Sequence, residues 1–465
     1  MTVKAKILLP FLLLLCATYS KGQEILTIRQ ALDLGVKNYG SIKSRTYMVE
    51  SSRTAVSQAR RDYLPNVVLS AQQVYGTVNG QNGPLYGFGG YGVASSGLPL
   101  PSQNWNAGFG AMYLANVNWE IFSFGRVSGR IRVARSAQEI AQADLAQEQF
   151  QHQVRVAAAY LNALGSERLT FTQQKNLERA QIIQRAIVAR AKGGLIAGVD
   201  SAQANAEVAN ARIALLRAAD VQQEQERNLA FLVGISADNL VLDTAFVVES
   251  PTVVETDSAR NGIHPTLRYY QNRFALSMEQ VKLGRASYFP SVNLVGIFQT
   301  RASGFSQTYA QDQSRFSGSY SDGIKPTISN YLAGVGLIWN LTTIARTNAQ
   351  VKSLRYSSMA AEADYQLVRE QLTTQSQIAE SKLTRAFDIR EQAPIQVQFA
   401  NDAYLQRSAL YKNGLTNLVD VTQALYILNR AESERDIAFI NVWQALLLKA
   451  AAVGDLGVFT NQLTR

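Results

Sequence analysis

Few residues in this chain are of the kinds that do chemistry, and none are spaced for it. The 465 residues include two histidines and one cysteine. His152 falls inside a long helical pattern and His264 stands just before Pro265, so spacing assembles neither a metal pair nor a base with its orienter. Gly87, Gly89, Gly90 and Gly92 superficially match a phosphate-cradling loop, but no lysine and no helix follow, as that motif requires. Cys16 sits in an N-terminal segment read below as removable, which excludes disulfides and thiolate metal sites from the processed chain. The pattern argues against an enzyme and against any cofactor or metal.

The residues that do recur at fixed spacing speak of architecture. Gly194, Leu195 and Asp200 are matched 220 positions later by Gly414, Leu415 and Asp420. The same offset links Trp119 to Trp339, Arg126 to Arg346, Asp144 to Asp364, Gln203 to Gln423 and Gly234 to Gly454. Upstream the offset becomes 225, pairing Leu64-Pro65 with Phe289-Pro290, Val67 with Val292 and Leu69 with Leu294. One insertion between Pro65 and Trp119 accounts for the change. Duplication on this scale implies a pseudo-symmetric architecture of two internal repeats, each covering a face of the other.

Each repeat reads as helix, hairpin, long helix, tight turn and return helix. The first spans 23–234, with a hairpin over 66–119 and a tip at 193–200. The second spans 259–465, with a hairpin over 291–339, a tip at 413–420 and a short tail; 235–258 links the two. Residues 125–193 contain no proline and are rich in good helix formers, so they predict a single helix about 100 Å long at ~1.5 Å per residue. Phe150, Val154, Ala157, Leu161 and Leu164 step by four and three, the period of a coiled-coil seam. Transferred by 220, that seam becomes Glu370, Thr374, Gln377, Ser381 and Thr384. The second long helix is therefore either rotated in register or turns a polar face to water. It also carries Pro394 where the first has Gln174, which predicts a bend near 390–394.

The hairpins alternate. Phe109, Ala111, Tyr113, Ala115, Val117 and Trp119 form one greasy side, opposite Met112, Leu114, Asn116, Asn118 and Glu120. Tyr331, Ala333, Val335, Leu337 and Trp339 repeat it, and Val67–Tyr75 and Val292–Phe298 are the partner strands, each starting after a proline. Runs of about nine to eleven residues suit a tilted membrane strand, and Trp119 and Trp339 fall where an aromatic belt would lie. Outside the N-terminus no uninterrupted apolar stretch approaches the ~20 residues of a membrane helix, so entry into a membrane would be by strands. Four strands cannot close a barrel, and an open edge cannot stand in lipid, so closure needs further copies of the chain.

Residues 1–22 read as a signal peptide: Lys4 and Lys6, an apolar run from Ile7 to Ala17, then Ser20 and Gly22. Lipid attachment at Cys16 is the rival, with Leu15 where a small residue is wanted. Removal leaves 42 Lys and Arg against 35 Asp and Glu, a balance of +7 over some 440 residues that makes no case for nucleic acid.

With the paired hairpins and the tip Tyr411-Lys412-Asn413-Gly414-Leu415-Thr416-Asn417-Leu418-Val419-Asp420, the chain resembles the TolC family of outer membrane efflux proteins over its whole processed length. The first tip keeps Gly194, Leu195, Asp200, Gln203 and Ala204, but Gly193 and Gly198 loosen it and Ser201 replaces an apolar residue. The resemblance implies a mixed α and β membrane protein: a homotrimeric twelve-stranded β-barrel, four strands per chain, continued by a periplasmic α-helical coiled-coil barrel. It implies a channel in the outer membrane of a Gram-negative bacterium, serving tripartite efflux or type I secretion. Substrates would pass passively from an inner membrane RND or ABC transporter and its periplasmic adaptor. The adaptor would meet Gly194, Leu195, Gly414 and Leu415, with Asp200 and Asp420 holding the turns, and residues 395–430 would close the periplasmic entrance. A non-conducting coiled-coil scaffold or adhesin is the other reading, and it leaves the hairpins unexplained.

Overall fold

The protein is described by a computed structural model over residues 25–80, 97–194, 196–237, 240–244, 251 and 262–464. The expected signal peptide, the glycines at 87–92, Leu195 and most of the 235–258 link lie outside the described residues. The chain divides into two compact units: one of residues 1–51, 139–274 and 361–465, the other of 52–138 and 275–360.

In chain order the elements are β1 (Ile25–Leu26), α1 (Ile28–Asn38), α2 (Gly40–Arg61), β2 (Asn66–Thr77), β3 (Ala107–Phe122), α3 (Arg126–Lys192) and α4 (Gly198–Val233). There follow β4 (Val241–Leu242), α5 (Pro265–Ala286), β5 (Ser291–Ser303), α6 (Tyr320–Ile324), β6 (Ile328–Ile338), α7 (Thr343–Lys412), α8 (Leu418–Val453) and α9 (Gly457–Thr460). Helix, two strands, long helix and return helix therefore occur twice in the same order.

The first unit is helical. Its core joins α1, α3, α4 and α8, with Val156, Ala157, Tyr160, Leu161 and Leu164 of α3 fully enclosed. The expected seam is thus part of something wider: Val156, Ala159, Tyr160 and Ala163 are buried as deeply as the seam residues, so α3 is surrounded here, while Phe150 and Val154 are only half-buried. On α7 the buried residues at this level are Ala379, Leu383 and Ala386, which stand 222 positions beyond Ala157, Leu161 and Leu164, while Gln377, Ser381 and Thr384 are exposed. The two-residue slip turns the helix by roughly 200°, which accounts for the polar residues at the 220 offset. Ala379, Ala386, Ala393 and Ala400 on α7, like Ala204, Ala211 and Ala218 on α4, recur every seven residues and are buried. A strict heptad of small residues lets a partner helix approach closely.

Two features escaped the sequence reading. β1 pairs in parallel with β4 inside the expected link, and the buried Tyr160 hydroxyl clamps the pair, donating to the Leu26 carbonyl at 2.8 Å and accepting from the Asp243 N–H at 2.9 Å. α8 is long and apolar enough to cross a membrane by length and composition. Trp443, Leu446 and Ala450 are buried in the helical core, so its apolar character is that of a packed helix.

The second unit is built on one antiparallel sheet in the order β2-β3-β5-β6. Pro65 and Pro290 stop the preceding helices directly before β2 and β5. The strands run longer than the sequence suggested, 12, 16, 13 and 11 residues, with β3 extending past Trp119 to Phe122 and β6 stopping at Ile338, just short of Trp339. The residues between β5 and β6 are ordered around α6, whose Ile324 carbonyl accepts from the Tyr113 hydroxyl at 3.1 Å.

Candidate functional site

The second tip is a tightly specified reversal. At the end of α7, Gly414 takes φ +74°, its N–H donates to Tyr411 O at 3.1 Å and the Leu415 N–H donates to Leu410 O at 2.9 Å. These two bonds are the Schellman pair that satisfies the last carbonyls of a helix. α8 then starts at an Asn417 cap whose side chain accepts from the Asp420 N–H at 2.9 Å. The Asp420 carboxylate accepts from the Thr416 hydroxyl and lies 3.7 Å from Arg407. In the first turn it also complements the helix dipole. Leu415 is 72% exposed, so it does not staple its own helix pair, and Val419 beside it is exposed as well.

The first tip reverses with less support. Gly194 takes φ +71° and its N–H donates to Ala191 O at 3.0 Å, but α4 opens on Ala197, which offers no side-chain cap, and Asp200 follows in the first turn. The looser reading given by Gly193 and Gly198 matches this missing cap. The two tips pack on each other through Ile187, Ala204 and Leu418, with Ile183, Ile196 and Tyr411 around them. Arg190 lies 5.7 Å from the centre of the Tyr411 ring. Burial, with Asp200 nearby, pushes the Tyr411 phenol up. A Cβ built on Gly194 or Gly414 meets no described residue within 4 Å beyond its chain neighbours, so both glycines face open space among the described residues.

Behind the tips the hairpins are tied by polar bonds. Gln184 donates to Asn205 at 2.7 Å between α3 and α4, and Gln396 to Glu434 at 3.0 Å between α7 and α8. Arg179 forks onto Glu432, and Thr172 donates to Asp436 at 2.6 Å, joining α3 to α8. α7 continues as helix through Pro394 to Lys412. Proline lacks the N–H that would bond the Arg390 carbonyl. The Arg390 guanidinium lies 4.7 Å from the centre of the Phe439 ring, and burial lowers its pKa.

In the sheet, register decides the chemistry of each face. Val117 lies opposite Val67 on one side and Gly296 on the other; Ala115 opposite Leu69 and Phe298; Phe298 opposite Tyr331; Leu294 opposite Trp119 and Val335; Val292 opposite Leu337. Since neighbouring residues in register share a face, both greasy sets form one apolar surface across all four strands. Gln72, Asn116, Asn118, Asn293, Gln299 and Asn330 fall on the other face by the same registers. Leu69 is 78% and Tyr331 86% exposed, so among the described residues nothing covers this part of the apolar face. The tryptophans make contacts that sequence did not disclose: the Trp119 indole N–H donates to Tyr63 O at 2.7 Å and that of Trp339 to Tyr288 O at 3.1 Å. Each pins a hairpin to the helix end two residues before its proline.

Both histidines are structural. His152 is buried, stacks on Tyr39 with ring centres 3.8 Å apart, and its Nε2 donates to Leu232 O at 3.0 Å. His264 caps α5: its Nδ1 accepts from the Thr266 N–H at 3.1 Å and its Nε2 donates to Ala451 O at 3.0 Å. Burial lowers the pKa of both, which favours the neutral ring.

The chain thus joins a sheet with an apolar face to paired helical hairpins, one of which ends in an exposed glycine-leucine turn at Gly414 and Leu415. The chain belongs to the outer membrane efflux protein family, whose model matches residues 32–235 and 262–435. Its fold is that of TolC-like channels. VceC from Vibrio cholerae is 18% identical, with 92% of this chain and 96% of that one covered at a TM-score of 0.73. The CmeC outer membrane channel of Campylobacter jejuni is 15% identical, with 92% and 85% covered at 0.74. The open state of the MtrE outer membrane channel of Neisseria gonorrhoeae is 15% identical, with 92% and 89% covered at 0.68. A search of curated protein sequences finds no significant match.

Proposed function

We propose that this protein is the outer membrane channel of a tripartite efflux or type I secretion system, conducting substrates passively from an inner membrane transporter and its periplasmic adaptor. The observation that carries the reading is the single apolar face running across β2, β3, β5 and β6, with both outer strands left as open edges. A sheet of that kind is stable in lipid only when its edges are paired, and three copies of four strands closing a twelve-stranded barrel satisfy the condition. The helical parts of the three chains would then form the periplasmic tunnel, and the protein would reside in the outer membrane of a Gram-negative cell.

The adaptor contact is assigned to Gly194, Leu195, Gly414 and Leu415, with Asp200 and Asp420 fixing the turns. Exposure of Leu415 and open space at both glycines support it, since a helical hairpin alone has no use for an exposed leucine at its reversal. The 395–430 pair is assigned to the periplasmic gate, with Pro394 as the weak point of its long helix. The test is reconstitution of the purified protein in planar bilayers, together with mass photometry in detergent. Discrete pores from a trimer are expected; a stable monomer with an intact sheet signal and no conductance would overturn the proposal. Leu415→Asp should leave trimer and pores intact while abolishing efflux in a complemented strain, and unchanged efflux would remove Leu415 from the contact.

A further inference from the structure

Charge is distributed very unevenly along this chain. The sheet-bearing unit, residues 52–138 and 275–360, holds 15 Lys and Arg against 5 Asp and Glu, a balance of +10. Without residues 1–22 the whole chain carries only +7, so the remainder is net acidic. Within the sheet-bearing unit the excess sits on the helix segments that flank the strands. Segment 52–61 of α2 carries Arg53, Arg60 and Arg61, segment 126–138 of α3 carries Arg126, Arg130, Arg132 and Arg135, and segment 343–360 of α7 carries Arg346, Lys352 and Arg355. None of the three contains an acid.

One place gathers this charge into a cavity. Between the end of α5 and the start of α7, a pocket of about 620 Å³ is lined by Arg285, Lys352 and Arg355 together with Tyr288, Phe289 and Tyr356. None of the three cations forms an ion pair or side-chain hydrogen bond with any described residue. Elsewhere in the unit the pattern differs: Arg126 is paired with Glu120, and Arg132 and Lys282 with Glu279. Arg285, Lys352 and Arg355 are exposed, and three like charges around one hollow set up a positive potential that favours an anion there. The pocket also has an apolar rim. Phe289 and Tyr356 are exposed, and Phe289 stacks on Phe124, whose ring centre lies 5.4 Å away and which meets Phe122 at 4.7 Å. Phe124 stands at φ +48°, an unfavourable backbone for a bulky residue, held where β3 turns into α3.

We propose that this pocket binds the headgroup phosphate of an anionic phospholipid, with the aromatic rim against its glycerol and upper acyl region. The inference rests on the channel reading, which puts the apolar sheet face in lipid. Continuity favours lipid over the water-filled interior: Tyr331, Val335 and Leu337 lead along the apolar face to Trp339, whose indole N–H donates to the carbonyl of Tyr288, itself a wall of the pocket. Pro290 and the first residue of β5 follow Phe289 directly, so the pocket lies at the level where strands end and headgroups begin. A second copy of the chain is a poor occupant. β2 is the opposite edge of the sheet, and the stretch leading into it carries Arg53, Arg60 and Arg61 against the single acid Asp62.

Native mass spectrometry of the full-length protein in mild detergent, given equal phosphatidylethanolamine and phosphatidylglycerol, tests the proposal. Preferential retention of phosphatidylglycerol is expected. Each Lys or Arg at a membrane surface contributes roughly fivefold to binding an anionic lipid, so Arg285→Gln with Lys352→Gln and Arg355→Gln should weaken retention on the order of 100-fold at low salt. Lys352→Gln alone, at an exposed residue with no ion pair or side-chain hydrogen bond among the described residues, should weaken it roughly fivefold. Arg285→Lys with Arg355→Lys should keep the preference, and loss of preference there would overturn a charge-based site. Equal retention of the two lipids by the unmodified protein would also overturn it. So would displacement of the lipid by millimolar inorganic phosphate, which would mark a free-phosphate site. A change of pore ion selectivity in the Gln variant with unchanged lipid retention would assign the cations to the water path instead. A protein that stays soluble without detergent would sink the channel reading itself, whereas one that forms pores but shows no lipid preference sinks only this inference.

Discussion

Four glycines in the left-handed region separate backbone strain from crowding within one molecule. Gly194 and Gly414 end the long helices and Gly234 and Gly454 end the return helices, all at φ between +71° and +82°. Changing each to Ala imposes the same backbone penalty, roughly 1–2 kcal/mol, partly offset by about 0.4–1 kcal/mol from a stiffer unfolded chain. At the tips nothing lies within 4 Å of the new methyl, so Gly194→Ala and Gly414→Ala should cost about 1 kcal/mol or less. At Gly454 the methyl would stand 2.6 Å from His264 Cδ2 and 2.9 Å from His264 Cα, and at Gly234 it would stand 2.7 Å from Asn38 Cβ. Neither neighbour can yield freely: His264 caps α5 and bonds Ala451, and Asn38 donates to Val233 O at 3.2 Å. Overpacking adds about 1–3 kcal/mol, so Gly234→Ala and Gly454→Ala should lose about 2–4 kcal/mol. Thermal melts followed by far-UV circular dichroism in one detergent, at one scan rate, compare the four variants. Equal losses at all four positions, or a greater loss at Gly414 than at Gly454, would refute the reasoning. The contrast has a functional reading too, because an efflux defect in Gly414→Ala beyond its small stability loss would belong to the tip surface.

Two further outcomes follow from the site. Ala197→Asn should supply the cap that Asn417 already provides at the other tip and stabilise α4 by about 0.5–1 kcal/mol; an unchanged melting point would show that the first tip's backbone cannot present a cap. His152 and His264 both titrate below the ordinary imidazole value because burial disfavours their charged forms. The unfolded chain therefore binds protons more readily from about pH 6.5 downward, so stability should fall as pH drops through that region and be flat above it. His264→Gln should flatten the acid limb, and melting midpoints between neutral and mildly acidic buffer measure it.

Local patterns were legible; those set by distant contacts were not. Alternation in 109–119 and 331–339 fixes which side chains share a face, because the strand period is a property of the residues themselves, and register then joined the two sets as expected. Gly414, Asn417 and Asp420 announce their turn through φ and cap chemistry alone. The helical seam misled because Val156, Tyr160 and Ala163 acquire neighbours from α1, α4 and α8, and no helix reports how many sides will be covered. The two-residue slip between Ala157 and Ala379 was hidden for a related reason: alanine looks the same at a helix surface and at a tight heptad contact. Tyr160 carried no local sign of its duty, since its partners Leu26 and Asp243 lie 134 and 83 residues away. The clamps made by Trp119 and Trp339 were equally invisible, because the belt expected of them asks for the same side chain.

The sheet order has a kinetic meaning. β2 meets β3, and β5 meets β6, within short stretches of chain, but β3 meets β5 only by bringing Gly110 to Ser303 and Trp119 to Leu294, across 193 and 175 residues that include α3, α4 and α5. Closing so long a loop is slow compared with zipping a hairpin. A chain whose hairpins close before they join holds four bare edges and two greasy faces, the condition under which β-structure aggregates.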